Sequence, residues 1–403
     1  MARMNLIHLL FAAGLLLSVS LRSPAQVIST MDDLRWNAPK EKTHVELVEG
    51  KIGKAVKFTF EKDSRSAFIT SSIKGNPDWD KSAGFSFWVK GFGSNSWGGL
   101  QFIYDEDYAL RYDFMFPIRG ANWTQVVVAW SDLVPVLPGT NAHRLDTTAG
   151  RLPSKLRGPW FGKWWYWGDY PAHAFAIDEM RLEPVIEKLQ GNCRTDDAAL
   201  QRFIKKLQAG QPVTIVTMGD SLTDYRHWAN REVAWPKLLK EQIRQKYRSE
   251  VTIVNPAIGG TQLRQNTVLI PQWLEEAPEP DLVTICFGGN DWEAGMRGPL
   301  FKEAYVDTIE RVRCATKGKA DILVLTTVPS VAQWKARAEL GEACRRVARE
   351  QNAGLGDTEK AFWAAGEQDK QRLFVNDKVH LSPAGHQLMA ETVLKAIEAA
   401  AGK

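Results

Sequence analysis

Val213-Thr214-Ile215-Val216-Thr217-Met218-Gly219-Asp220-Ser221-Leu222-Thr223-Asp224 begins as an apolar, β-branched run and stops against a turn that carries a serine. A buried strand that ends at Gly219-Asp220-Ser221 and leads toward a helix sets a hydroxyl at the carboxyl edge of a sheet, where α/β folds build their sites. The same residues also make an ordinary strand exit, because glycine accepts unusual backbone angles while aspartate and serine bond to nearby backbone groups. The rest of the chain decides between the two.

Around this stretch strand and helix patterns alternate. Val251 to Val254, Leu282 to Phe287 and Ile322 to Thr327 are apolar and rich in β-branched residues, as parallel strands covered on both faces are. Trp235, Leu238, Leu239 and Ile243 mark one face of an intervening helix with Pro236 in its opening turn, and Phe301, Tyr305, Ile309 and Val312 mark another. The pattern predicts a doubly wound α/β sheet.

The chemistry-bearing residues sit where these strands end. Val254 is followed by Asn255-Pro256-Ala257-Ile258-Gly259-Gly260-Thr261, and Phe287 by Gly288-Gly289-Asn290-Asp291. Near the C-terminus Asp377-Lys378-Val379-His380 precedes Leu381-Ser382-Pro383, in which Ser382 is placed to cap a helix beginning at Pro383. Each segment has a plainer reading as a turn or a cap. A serine, a glycine, an asparagine and an Asp-x-x-His pair in this order at strand ends are hard to explain that way together.

Gly219-Asp220-Ser221-Leu222, Gly260, Gly289-Asn290-Asp291 and Asp377-x-x-His380 resemble the four sequence blocks of the SGNH, or GDSL-type, hydrolases, across essentially all of residues 212–400. The resemblance implies a flavodoxin-like three-layer α/β/α domain and ester hydrolysis without metal or organic cofactor. It implies Ser221 as nucleophile, His380 as general base and then acid, and Asp377 as the carboxylate that orients the imidazole. The oxyanion donors are then the backbone N–H groups of Ser221 and Gly260 and the side-chain amide of Asn290. Gly259 is the competing donor; spacing from Asn255 favours Gly260. Asp220 is expected to brace the turn and His386 to be a helix residue. His227 and Trp292 are candidate cleft residues. No G-x-S-x-G elbow, H-E-x-x-H motif or P-loop occurs.

Residues 45–182 read differently: short apolar or alternating runs separated by Gly, Pro, Asn and Asp, without helical period. Val56 to Phe60, Gly84 to Lys90, Leu100 to Tyr104, Thr124 to Trp130 and Ala174 to Leu182 are the expected strands, and Phe85, Phe87 and Val89 share one face of the second. An all-β sandwich or jelly roll follows. Ten of the 16 tryptophans lie in residues 27–184, and Trp88, Trp123 and Trp130 are assigned to the core of the sandwich. The aromatic run Trp160 to Tyr170 lies among glycines and a proline. It has three readings: a ligand platform, with Trp164, Trp165 and Trp167 as candidate substrate contacts; packing against the second domain; or a plug for the sandwich. Gly84 to Gly91, Trp123 to Trp130 and Ile177 to Leu182 resemble the jelly-roll modules that accompany enzymes acting on polysaccharides. Asp105, Glu106 and Asp107 form an acidic turn with the donors for a structural calcium ion, though a solvated turn is the simpler reading.

The 403 residues suit two domains, expected at 27–184 and 212–403, with a linker at 185–211 that includes a short helix from Thr195 to Gln208. Arg3, the apolar stretch Leu6 to Leu17, and Ser23 and Ala25 before Gln26 predict a secretory signal peptide cut between Ala25 and Gln26, hence a secreted or periplasmic protein without a membrane span after cleavage. Its removal lowers the formal net charge from +4 to +2, with basic residues too dispersed for nucleic acid binding. Cys193, Cys286, Cys314 and Cys344 fit no zinc pattern, and Cys314 with Cys344 offers a disulfide between consecutive helices. The expected function is a secreted esterase that deacetylates or deacylates a polysaccharide or oligosaccharide, the substrate being an acylated glycan or small ester. A lipase, arylesterase or thioesterase on the same residues, and a non-catalytic glycan-binding protein, are the alternatives.

Overall fold

The computed structural model describes residues 26–401 except 38–41, 66, 71, 105–106, 137–151, 163–164, 170, 188–192 and 194–196. The expected signal peptide and the acidic pair Asp105 and Glu106 therefore lie outside the described residues.

The N-terminal region is built from β1 (Val27–Ser29), β2 (Thr43–Glu49), β3 (Lys54–Phe60), β4 (Ala67–Ile69), β5 (Gly84–Gly91), β6 (Trp97–Tyr104), β7 (Asp107–Pro117), β8 (Thr124–Ala129), β9 (Val134–Val136), β10 (Leu156–Gly162) and β11 (His173–Glu183). They pair antiparallel into two sheets, β2-β3-β11-β5-β8 with β1 added on β11, and β4-β10-β6-β7-β9. Phe58, Phe85, Phe87 and Phe175 of the first sheet meet Phe68, Phe102, Phe116 and Phe161 of the second in one core. This is the sandwich that alternation predicts: Phe85, Phe87 and Val89 are buried, while Trp88 on the opposite face is half-buried with the Lys51 ammonium 5.1 Å from its ring centroid.

Trp88 and Trp123 are thus not core residues as expected; both are only half-buried, and Trp130 packs on the core from its margin by stacking on Trp79 at 5.5 Å. The strands that escaped the reading have physical reasons. β2 lies at a sheet edge with only half-buried and exposed residues and has no apolar run. β10 contains Gly158-Pro159, and its register with β6 shifts between Arg157 and Trp160, where a residue without an N–H does not interrupt a ladder.

The C-terminal region has a parallel sheet of β12 (Val213–Gly219), β13 (Val251–Val254), β14 (Leu282–Cys286), β15 (Asp321–Leu325) and β16 (Gly354–Gly356), in the order β13-β12-β14-β15-β16. Around it run α1 (Gln201–Gln208), α2 (Trp235–Tyr247), α3 (Leu263–Thr267), α4 (Ile270–Glu276), α5 (Gly289–Glu293), α6 (Gly298–Ala315), α7 (Ala338–Glu350), α8 (Thr358–Ala365) and α9 (Pro383–Ala401). Successive strand residues point to opposite faces, and both faces are covered. Val216 and Met218 join Val283, Ile285, Ile322 and Val324 under α6 and α7, whereas Val213 and Ile215 join Leu282, Leu323 and Leu325 under α1, α2 and α9. Each fully buried large side chain contributes about 1.5–3 kcal/mol. The result is a three-layer α/β/α unit with flavodoxin-like strand order, and the direction of winding reverses between β12 and its neighbours.

No disulfide joins any two of the four cysteines. Cys314 on α6 is exposed and Cys344 on α7 is buried in the core, so the two do not form the disulfide offered by their spacing.

The two regions share a further apolar cluster. Trp97, Met115, Val134, Val136, Tyr166 and Trp167 of the sandwich pack with Ile258, Val268 and Leu269 of the α/β unit. Arg311 on α6 closes its edge, donating to the backbone oxygens of Ser131 (2.8 Å) and Asp132 (3.0 Å).

Candidate active site

β12 delivers Ser221 to the crevice at the switch point. The turn after the strand is closed by the carbonyl of Asp220, which accepts from the N–H groups of Thr223 and Asp224, both at 3.0 Å. The Asp220 carboxylate accepts from Leu222 N–H at 3.0 Å, the bracing role expected of it. Burial raises this carboxyl to about 6, opposed by the Leu222 N–H and by the positive charges nearby. Asn230 fixes the far side of the turn by donating to the carbonyls of Ser221 (2.6 Å) and Asp224 (2.8 Å).

The segment before α9 brings Asp377 and His380 to the same place. Asp377 Oδ1 accepts from the N–H groups of Val379 and His380, each at 2.9 Å, which folds the Asp-x-x-His segment back on itself. Its Oδ2 lies 2.6 Å from His380 Nδ1, and His380 Nε2 lies 2.9 Å from Ser221 Oγ. A carboxylate acceptor at Nδ1 places the imidazole proton there, so Nε2 accepts from the Ser221 hydroxyl. Burial pushes the Asp377 carboxyl up, but the hydrogen bonds from the His380 ring and the two backbone N–H groups outweigh it and hold it below its ordinary value. Ser382 caps α9 by accepting from Gly385 N–H at 3.2 Å.

Opposite lies the segment after β13. Ile258 N–H donates to the Gly219 carbonyl at 3.2 Å, which ties this loop to the end of β12. The Gly259 N–H is occupied: it donates to Asp224 Oδ2 at 2.9 Å. That choice of partner leaves Gly260, at φ +77°, as the residue whose N–H faces no acceptor among the described residues. A Cβ on Gly259 would stand 3.6 Å from Ser221 Cβ and 3.5 Å from His227 Cδ2, so the loop borders the serine directly. Asn290, in the first turn of α5, spends one amide hydrogen on the Thr261 carbonyl at 2.9 Å and keeps the other. Asp291 beside it is buried, accepts from Leu263 N–H at 3.1 Å and is raised by burial to about 7.

Residues 217–388 match the GDSL-like Lipase/Acylhydrolase family. The chain carries a GDSL-type acylhydrolase domain. An 86-residue part of it, 21% of the chain, is 36% identical to thioesterase 1/protease 1/lysophospholipase L1 of Escherichia coli (strain K12), and spans only 36% of that relative's length. A 161-residue part, 36% of the chain, is 29% identical to an acetylxylan esterase of Geobacillus stearothermophilus and spans 72% of it. Among solved structures, a two-domain esterase active on acetylated mannans and co-crystallized with mannopentaose is similar at a TM-score of 0.43 and 22% identity, over 51% of this chain and 55% of that one.

The remaining expected residues fall in different surroundings of the GDSL domain. His227 stacks on His380 with ring centroids 4.2 Å apart, and burial followed by repulsion from His380 lowers its pKa. Trp292 on α5 is half-buried against the α6–α7 core, with the Arg297 guanidinium 3.9 Å from its ring centroid. His386 is a buried residue of α9 whose Nδ1 accepts from Trp235 N–H at 3.2 Å. Trp167 is not a surface platform: it is 2% exposed and belongs to the cluster between sandwich and GDSL domain. The run 165–167 forms a 3-10 turn, and neighbouring Tyr166 and Trp167 are both buried. Trp164 and the side chain of Trp165 lie outside the described residues.

Four residues of the site had no role assigned from sequence. Asp224 accepts from Arg226 N–H and Nε at 2.9 Å as well as from Gly259, and Arg226 reaches the Ala257 carbonyl at 2.7 Å. Asn230 anchors the turn that carries Ser221, and Trp228 meets His380 edge-on at 5.8 Å. Their proximity in sequence to Ser221 was the available signal; their partners are 31 to 152 positions distant or within nine positions, which spacing does not reveal.

Proposed function

We propose that this chain is a secreted serine esterase that removes acetyl or related acyl groups from a polysaccharide or oligosaccharide. The observation that carries the reaction class is the hydrogen-bonded relay from Asp377 through His380 to Ser221, at 2.6 and 2.9 Å. Ser221 Oγ attacks the ester carbonyl as His380 Nε2 takes its proton, and Asp377 stabilises the imidazolium that forms. The N–H groups of Ser221 and Gly260 and the free amide hydrogen of Asn290 receive the oxyanion, each such donor being worth about 3 kcal/mol in the transition state. His380 returns the proton to the leaving alcohol. Water then repeats the cycle on the acyl-enzyme, and Ser221 is released.

The glycan part of the reading is supported by the acetylxylan esterase relative and by the sandwich at residues 27–184 that precedes the domain at 212–403. Export rests on the sequence of residues 1–25. The lysophospholipase and thioesterase relative favours a second reading, cleavage of longer acyl esters by the same residues. Acetate release from acetylated xylan and mannan, measured beside a series of esters of increasing acyl length, separates the two. Ser221→Ala is expected to reduce turnover by a factor on the order of 10⁴ or more; undiminished acetate release in that variant removes Ser221 from the mechanism.

A further inference from the structure

Trp228 is the one tryptophan among the described residues with a largely exposed side chain, at 56%. Trp36, Trp79, Trp97, Trp167, Trp235 and Trp273 are all buried. Its exposure is not that of a loose surface residue, because the turn Trp228–Asn230 is held at both ends. His227 N–H donates to the Asp224 carbonyl at 3.1 Å, Asn230 N–H to the His227 carbonyl at 3.0 Å, and the buried Asn230 amide to the carbonyls of Ser221 and Asp224. The indole therefore stands in water on a turn whose backbone is held, next to the nucleophile turn. Its ring centroid is 5.8 Å from that of His380 at an interplanar angle of 64°, and 5.4 Å from that of His227. An edge contact of this kind spends little of the indole's faces.

The chemistry says which part of the substrate comes here. His380 Nε2 must protonate the departing alcohol oxygen, so the carbon skeleton bearing that oxygen lies on the His380 side of Ser221, while the acyl group lies with the oxyanion donors. In an acylated glycan that skeleton is the sugar ring, whose C–H face is apolar and suits an indole face. We infer that Trp228 is the platform on which the sugar ring carrying the scissile ester stacks, a subsite for the alcohol part of the substrate. The inference rests on the glycan esterase reading above.

The test compares kcat/KM of the wild-type mature chain, Trp228→Ala and Trp228→Phe on an acetylated xylo-oligosaccharide and on ethyl acetate, whose alcohol has no ring. The ratio of the two values cancels any loss of folded enzyme and any disturbance of His380. It is expected to fall about tenfold in Trp228→Ala and less than about threefold in Trp228→Phe, since burying the apolar C–H face of a sugar ring against an aromatic side chain is worth on the order of one such factor. Turnover of both substrates with an unchanged ratio in Trp228→Ala overturns the platform alone. Wild-type turnover of ethyl acetate with none on acetylated oligosaccharides of xylose, mannose or glucose overturns the glycan reading and the platform with it.

Discussion

Asp224 binds two parts of the site to each other. Its carboxylate holds Gly259 N–H on one side and Arg226 on the other, and Arg226 continues to the Ala257 carbonyl, so the loop carrying Gly260 is fastened to the turn carrying Ser221. The choice between Gly259 and Gly260 is thereby argued from partners: an N–H already given to a carboxylate is not available to an oxyanion. Removing the clamp should loosen the proposed Gly260 donor without removing it. Asp224→Ala is expected to lower kcat on ethyl acetate about tenfold, short of the 10²–10³ that follows outright loss of a donor. An unchanged kcat in a folded variant would show that the loop keeps its place without Asp224. Ser221, Asn290, Asp377 and His380 were legible in the sequence as candidates because their motifs are local and end recognisable elements. Asp224 was not, although it lies in the stretch that announces the site, because its partner Gly259 is 35 residues away.

The elements that position these residues differ in how far they showed themselves beforehand. β12, β13, β14 and β15 are covered on both faces, so each is an apolar run with little ambiguity, whereas the three-residue β16 is too short to have a period. The connection from β14 to α5 depends on backbone shape. Gly288 sits at φ +131°, and a Cβ there would lie 2.1 Å from Thr327 Oγ1, a buried hydroxyl that donates to the Phe287 carbonyl at 3.2 Å. Both the backbone conformation and the close approach exclude a side chain. Gly288→Ala should destabilise the fold by about 2–4 kcal/mol, read as a shift of the urea unfolding midpoint at constant slope; a loss below about 0.5 kcal/mol would mean that Thr327 and the turn relax freely. In the sandwich, β10 escaped detection for the opposite reason. Its glycines and proline carry turn signals, and only pairing with β4 and β6 makes it a strand.

At the scale of the molecule, sandwich and GDSL domain are packed together rather than strung on a linker. Trp97, Tyr166 and Trp167 cover Ile258, Val268 and Leu269, and Ile258 immediately precedes the Gly259-Gly260 pair. Gly168 extends the contact, since a Cβ on it would come within 2.8 Å of Arg226 and 3.4 Å of Ile258. The aromatic run therefore reaches the support of the candidate oxyanion loop, which is the second of the three readings that its sequence left open. Residues 197–403 produced alone would expose this apolar surface. Their thermal midpoint is expected to lie at least about 4 °C below that of the same domain in the whole chain, with association visible by size-exclusion chromatography; a monodisperse fragment with an unchanged midpoint would make the sandwich a mere appendage. What the sequence determined by itself is what depends on local pattern: two kinds of sheet from two kinds of periodicity, and a candidate relay whose members each stand at an element's end. The tertiary structure alone decided which aromatic residues are buried between the regions, which stands free beside His380, and which carboxylate clamps the loop. Those outcomes follow from contacts between residues far apart in the chain, and residue type without position does not distinguish a tryptophan that packs from one that faces water.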